Sequence, residues 1–427
     1  METTDDNKLK QAKWEFIDIA VLVAVIILAA IGILMVFSIT GTSIHNNRAG
    51  DRMSYVMHSI NGVIGGIVLM VFMTFFPNKL YRGKLGMLIL IGTLFIFIIT
   101  PIFGLDVPGA PYVYRWLRIP GIGITFQAVD LARIGFTLSL PWIIQYLIDR
   151  GQYFSNKVFA HYLIAFGYVI FCTLWIFPGQ PDIGSAMVIF LTGAIVFLAS
   201  GLHKLQLALL LSIAGTTLVM VLLIGFNNLG FLPNYAQNRI LVWLYPFEYL
   251  DLGGRQLVVG FTSIALGGMT GVGLGNSTQA LGFAIEPHTD LIVTILAEEL
   301  GFIAVMGVMI LYFVIAFRCF STALKSRDTF KALVCVGIGA FFLTQPLVNL
   351  GGVVGLIPLS GVVLPFISYG MTSKFSTFIL IGIYFNIRRS ILIDVERYKI
   401  LKHEEIINPT PITRNSESDS NVLDFKH

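Results

Sequence analysis

The sequence predicts an all-α, polytopic integral membrane protein with about ten transmembrane helices, and three observations carry that prediction. Hydrophobic residues make up 56% of the 427 and charged residues only 12%, about half of the roughly 25% usual in soluble domains. Apolar runs of the length that crosses a bilayer recur from end to end. Lys and Arg gather in alternate connections between those runs, as the positive-inside rule requires of a multi-pass protein.

The runs lie near 17–39, 59–76, 85–103, 126–148, 159–177, 183–201, 205–225, 291–317, 332–350 and 361–387. The first is too long for a signal-peptide core, has no small-residue cleavage site and is followed by further spans, so it reads as a retained anchor. Lys8, Lys10 and Lys13 precede it, and Lys79, Arg82, Lys84, Arg150, Lys157, Lys204, Arg318, Lys325, Arg327 and Lys331 fall on the same side. The other side has Arg48, Arg52, Arg115, Arg118, Arg239 and Arg255. Both termini are therefore expected in the cytoplasm, with a large extracellular loop, 226–289, between spans seven and eight. A cytoplasmic tail, 1–13, precedes a membrane body, 14–390, and a second tail, 391–427, follows. Within the latter, Asp394 to Glu405 reads as a helix extending the last span, and Asn408 to His427 as a solvated polar end.

The net charge of +4 follows from this topology and is no nucleic-acid footprint. Cys172, Cys319 and Cys335 lie in spans or at the inner side, which removes outer disulfides and redox chemistry. The outer loops carry arginine and no lysine, and guanidinium forks suit bidentate binding of phosphate.

Two segments break the helical pattern. Gly267 to Gly275 is too glycine-dense for a regular helix; it either brings backbone close to a ligand or packs a re-entrant segment tightly against helices. Gly351 to Ser373, with two prolines and several glycines, reads as re-entrant beside a cavity near the outer surface. In the outer loop, Asn234 to Tyr249 reads as an interfacial helix, and Gly253-Gly254-Arg255-Gln256 as a turn.

Charges inside spans are expensive and point to function by default. Asp130 and Arg133 stand one turn apart and can pair; Glu298, Glu299 and Lys374 complete the set with Asp182. Helix-to-helix pairing is the structural alternative for Asp130, Arg133, Glu298 and Glu299. Asp182 and Asp290 each open a span from the outer side, where the helix dipole favours an ionised carboxylate. N-capping explains Asp182 alone, whereas Glu286 and His288 beside Asp290 point to chemistry.

Four motifs follow one another along the chain: Gly179-Gln180-Pro181-Asp182-Ile183-Gly184-Ser185, Gly267 to Gln279, His288-Thr289-Asp290 followed by Ala297-Glu298-Glu299-Leu300-Gly301, and Leu364-Pro365-Phe366-Ile367-Ser368-Tyr369-Gly370. On these motifs the chain resembles the SEDS family of FtsW, RodA and SpoVE, across nearly the whole membrane body. The chain departs from the family pattern at Gln127-Ala128-Val129-Asp130, at Ala280, at Ile285-Glu286-Pro287-His288 and at Met371-Thr372-Ser373-Lys374. The resemblance implies a peptidoglycan glycosyltransferase of the bacterial cytoplasmic membrane that polymerises lipid II, its undecaprenyl-diphosphate-linked substrate. It also implies a class B penicillin-binding protein as partner, among divisome or elongasome proteins. Asp290 is then the catalytic base. Glu286, His288, Thr289, Arg239, Arg255, Gln256, Gln180, Asp182, Asp130, Arg133, Ser368 and Tyr369 form the expected substrate site. No metal-ligand spacing is visible, and a divalent cation is a further candidate for neutralising the leaving charge. A flippase for the lipid-linked precursor is the competing reading, disfavoured by the missing inverted repeat and the outward placement of the motifs.

Overall fold

A computed structural model describes residues 16–42, 49–107, 110–118, 125–150, 159–179, 182–201, 234–281, 289–359 and 361–407. Helices α1 (Ile19–Thr42), α2 (Ala49–Phe75), the single turn α3 (Lys79–Arg82) and α4 (Lys84–Phe103) come first. After the small sheet described below come α5 (Ala128–Asp149), α6 (Phe159–Gly179), α7 (Ile183–Ala199), α8 (Asn234–Leu244), α9 (Gly254–Gly267), α10 (Ile292–Ala323), α11 (Thr329–Val353) and α12 (Met371–Ile407). Among the described residues six helices, α1, α2, α4, α5, α10 and α11, hold stretches long and apolar enough to cross a membrane. Shorter apolar helices occupy the expected spans at 159–177 and 183–201. The expected span 205–225 and both polar tails, 1–13 and 408–427, lie outside the described residues, as does Gln180.

The expectation of an all-α chain needs a correction. Between α4 and α5 an antiparallel sheet forms from β1 (Leu105–Val107), β2 (Ala110–Arg118) and β3 (Thr125–Gln127), with β2 central. Trp116 pairs with Gln127 and Arg118 with Thr125. Tyr112, Val113, Tyr114 and Trp116 are good strand formers, and this strand-rich connection leads directly into α5. The last helix also starts later than expected, at Met371 rather than near 361, because 361–370 is non-helical. The interfacial helix expected over 234–249 runs Asn234–Leu244.

Helix α11 is the hub, packed against α10, α7 and α5, while α2 lies along α12 and α4 along α5. The α2–α12 seam is close because small residues line it, the usual device where helices have no hydrophobic effect to draw them together. A Cβ added to Gly66 would come within 2.2 Å of the Phe378 ring, and one on Gly382 within 2.4 Å of the Met70 carbonyl. At the other end of the bundle Asp18, just before α1, accepts from Arg318 Nε at 2.7 Å and lies 3.3 Å from Arg388, clamping α1 to α10 and α12.

Helix α10 is broken at Gly301, whose φ of 80° and ψ of 176° interrupt the i to i−4 ladder. The polar groups freed there are taken up by the glycine loop that follows α9. Val272 and Gly273 donate to the carbonyls of Glu298 and Glu299, both at 2.9 Å, and Phe302 and Ile303 donate to Gly268 and Met269 at 2.9 and 3.2 Å. A Cβ on Gly271 would sit 2.2 Å from the Glu299 carbonyl. Gly267 and Gly271 are therefore spent on backbone-to-backbone packing, the second of the two readings open in the sequence.

Candidate active site

Asp290 lies in the turn Thr289-Asp290-Leu291 that opens α10. Its position is fixed from two directions. Asn349 of α11 donates to the Asp290 carbonyl at 2.9 Å and to the Val362 carbonyl at 2.6 Å. Ser368 donates to the Thr289 carbonyl at 2.7 Å and accepts from the Leu364 amide at 2.8 Å. Thr289 Oγ1 in turn donates to Asp290 Oδ1 at 3.0 Å. Ser368 thus acts by locking the Leu364–Gly370 segment to the Asp290 turn. It is buried and is not on the cavity wall.

That segment is itself rigid. Phe366, 1% exposed, has φ 65°, the only positive value at a non-glycine among the described residues. It is held there by stacking on Phe342, 5.6 Å between ring centres, and by an edge contact with Phe378 at 5.0 Å. Tyr312 donates to the Pro365 carbonyl. Such over-determined strain belongs to positions where geometry is fixed for use.

Asp290 borders a cavity of about 730 Å³. Its wall comes from separate parts of the chain: Tyr55, His58 and Ser59 of α2, Arg115 and Trp116 of β2, Asp130 at the start of α5, Arg239 of α8, Gln256 of α9, and Gly361, Val363 and Tyr369 to Lys374. Gly361, with φ 65°, separates a carboxylate from a guanidinium, since a Cβ built there would lie 3.6 Å from both Asp290 Oδ2 and Arg115 NH1. Arg239 NH1 donates to the Leu359 carbonyl at 2.6 Å, so its fork is anchored at the edge of the same segment. Tyr369 packs on Tyr55 with ring centres 5.3 Å apart.

Behind the wall runs a buried polar relay. Arg133 donates to Asp130 Oδ1 at 2.9 Å, to Ser185 Oγ at 2.7 Å and to Gln345 Oε1 at 3.3 Å. Ser185 donates from its hydroxyl and its amide to Asp182, at 2.8 and 3.0 Å, which makes Asp182 the N-cap of α7. Gln345 Nε2 reaches the Val363 carbonyl at 2.6 Å. Asp130 Oδ2 and Arg133 Nε have no hydrogen-bond partner among the described residues.

Of the expected site residues, Asp290, Thr289, Arg239, Gln256, Asp130 and Tyr369 meet at the cavity. Arg133, Asp182 and Ser368 stand behind it as supports. Arg255, in the first turn of α9, is exposed and does not border the cavity, so the phosphate role expected of it has no geometric basis here. Glu286, His288 and Gln180 lie outside the described residues. Sequence reasoning missed Tyr55, His58 and Ser59, although their i, i+3, i+4 spacing puts them on one face of α2. Among the described residues no three His, Cys, Asp or Glu side chains gather as a metal-binding set.

The glutamates of α10 play a different part. Glu298 accepts from Ser277 Oγ at 2.7 Å and from the Thr278 amide and hydroxyl at 2.7 and 2.9 Å. Glu299 accepts from Ser38 at 2.8 and 2.7 Å, and Ser38 accepts from the Gly275 amide. Both pin the glycine loop.

Comparison with known proteins places these features in context. The profile of the FtsW/RodA/SpoVE family, described as cell cycle protein, matches residues 19–391. The probable peptidoglycan glycosyltransferase FtsW of Bacillus subtilis (strain 168) is 31% identical over 372 residues, 87% of this chain and 90% of that protein. A protein of the same name from Lactococcus lactis subsp. lactis (strain IL1403) is 29% identical over 398 residues, covering 84% and 90%. Among solved structures, a chain from a peptidoglycan synthase complex that coordinates polymerization and crosslinking aligns with a TM-score of 0.68 at 22% identity, over 88% of this chain and 99% of that one. The rod shape determining protein RodA of Thermus thermophilus aligns with a TM-score of 0.59 at 19% identity, covering 88% and 98%.

Proposed function

The chain belongs to the FtsW/RodA/SpoVE family of cell cycle proteins, and from that premise we propose that it polymerises lipid II with Asp290 as its catalytic base. It is a multi-pass membrane protein and a peptidoglycan glycosyltransferase. The observation that carries the assignment of the base is Asp290, at the head of α10, on the wall of a cavity that also holds Arg115 and Arg239.

In the proposed reaction the hydroxyl of an acceptor sugar attacks the anomeric carbon of the donor. The bond from that carbon to the lipid diphosphate breaks, and the diphosphate leaves with the electron pair. A diphosphate departs without protonation, so the paired acid and base of a glycosidase are not needed. Asp290 takes the hydroxyl proton, a contribution of about 10² to 10⁴ in rate. Arg115 and Arg239 meet the negative charge that develops on the leaving group. Asp130, held by Arg133, offers its free Oδ2 to a substrate hydroxyl.

The wider reading keeps about ten spans with both termini cytoplasmic, so that the 226–289 loop and the cavity face outward. The membrane body is 14–390. A class B penicillin-binding protein is the proposed partner, supported by the likeness to a chain from a complex that couples polymerization to crosslinking. The purified chain, alone and with that partner, is incubated with labelled lipid II. Glycan chains from the wild type and none from Asp290→Asn support the assignment; chains of normal length from the Asn variant overturn it.

A further inference from the structure

Lys374 is the charged group of the cavity that neither the motifs nor the reaction above accounts for. It sits in the first turn of α12 and is 1% exposed. Its stem crosses α2 at Gly62, where an added Cβ would come 3.2 Å from Lys374 Cδ. Beyond that crossing Nζ donates to Ser59 Oγ and lies 3.5 Å from the Ser59 carbonyl. Among the described residues no carboxylate pairs with it.

A buried ammonium is costly unless a counter-charge or several good acceptors meet it. One serine satisfies part of a group with three donors. The space that Lys374 borders is the cavity shared with Asp290, Arg115 and Arg239, and an anion there would supply the further acceptors. The arginines stand on the sheet and α8, on outer connections, while Lys374 and His58 stand on the α2–α12 seam. An anion with two linked phosphates can meet cations on both sides at once.

We propose that Lys374, held by Ser59, binds a phosphate of the lipid-linked diphosphate substrate from the α2–α12 side of the cavity, a reading that rests on the glycosyltransferase function above. The lysine recognises the charge, not the sugar or the polyprenyl chain.

The test measures binding to the purified full chain in detergent, with farnesyl diphosphate, farnesol and inorganic pyrophosphate as probes. Lys374→Met fills the same channel beside Gly62 without charge and should weaken farnesyl diphosphate at least about tenfold, while Lys374→Arg stays within about threefold of wild type. Farnesol should bind both variants and wild type alike. Weakening of inorganic pyrophosphate in parallel assigns the effect to the diphosphate rather than to its lipid. Should the Met variant melt early, Lys374→Gln against Lys374→Arg makes the same comparison with two polar side chains. Equal farnesyl diphosphate affinity in wild type and the uncharged variant, or equal loss in the Arg and uncharged variants, overturns the proposal. The two readings fail separately. Glycan synthesis by a wild type whose diphosphate affinity ignores Lys374 removes the subsite alone. Diphosphate binding that depends on Lys374 in a wild type that makes no glycan removes the polymerase reading alone.

Discussion

Two buried acidic groups, Asp130 at the start of α5 and Glu298 within α10, look alike in sequence and do opposite things in the fold. Each is an acid in an apolar helix, 1% and 0% exposed. Glu298 has both oxygens occupied, by Ser277, Thr278 and Ser263; it ends in a closed set of hydrogen bonds whose product is the anchored glycine loop. Asp130 has one oxygen tied to Arg133 and the other unpartnered among the described residues, beside the cavity. The difference teaches that the burial of a charge does not mark a site. Unused hydrogen-bonding capacity beside a cavity does, because a buried acceptor left empty is destabilising unless something else fills it.

The largest effect should come from Asp290, the proposed base, whose turn the supports hold in place. Asp290→Asn is nearly isosteric and leaves the backbone bonds from Asn349 and Ser368 in place, so the melting temperature should stay near wild type while glycan synthesis falls by about 10² or more. Parallel loss of stability would move Asp290 to the side of Glu298.

Next comes the relay itself. Arg133→Gln strands Asp130 and should destabilise by about 3–5 kcal/mol, whereas Asp130→Asn with Arg133→Gln should recover most of it. Polymerisation should remain low in the recovered double variant, because the carboxylate beside the cavity is gone. Full activity there would make the pair as purely structural as Glu298.

Glu298→Ala should cost about 2–4 kcal/mol by leaving the Ser277 and Thr278 donors without acceptors. The variant that survives purification should polymerise at a rate set only by its folded fraction, read by comparing turnover with the thermal melt. The smallest effects separate Arg239 from Arg255. Arg239→Lys keeps the charge and loses the fork, and should reduce turnover by about tenfold. Arg255→Lys, on an exposed turn of α9, should change nothing measurable, and equal losses in the two would restore Arg255 to the site.

How far the sequence could be read follows the same division. The membrane class, the broken segments and the cluster of Asp290, Thr289, Arg239, Gln256, Asp130 and Tyr369 were legible, because each sits at a span boundary or a motif where composition and position agree. The role of Glu298 was not. An acidic pair in an apolar helix reads the same whether its hydrogen bonds are full or empty, and the donors on the glycine loop are known only once the loop is folded back. Arg239 and Arg255 were indistinguishable for a related reason, since direction on a helix decides which borders the cavity. Tyr55, His58 and Ser59 carry no motif and look like the polar minority of an ordinary span. The sheet had left its signal in Tyr112-Val113-Tyr114 and in the Pro108-Gly109 pair, but span counting treats any short connection as featureless.

The break at Gly301 has a consequence for how the chain is made. A helix with open backbone groups in mid-span cannot enter hydrocarbon by itself, because each unsatisfied group there is worth several kcal/mol. Gly268, Met269, Val272 and Gly273 complete α10, and they leave the ribosome before it does. The glycine loop and α10 should therefore enter the bilayer as one unit, in the order of synthesis. A chain rearranged to deliver α10 first would present the insertion machinery with an incomplete helix. Protease protection of α10 should then appear only once the loop has been supplied.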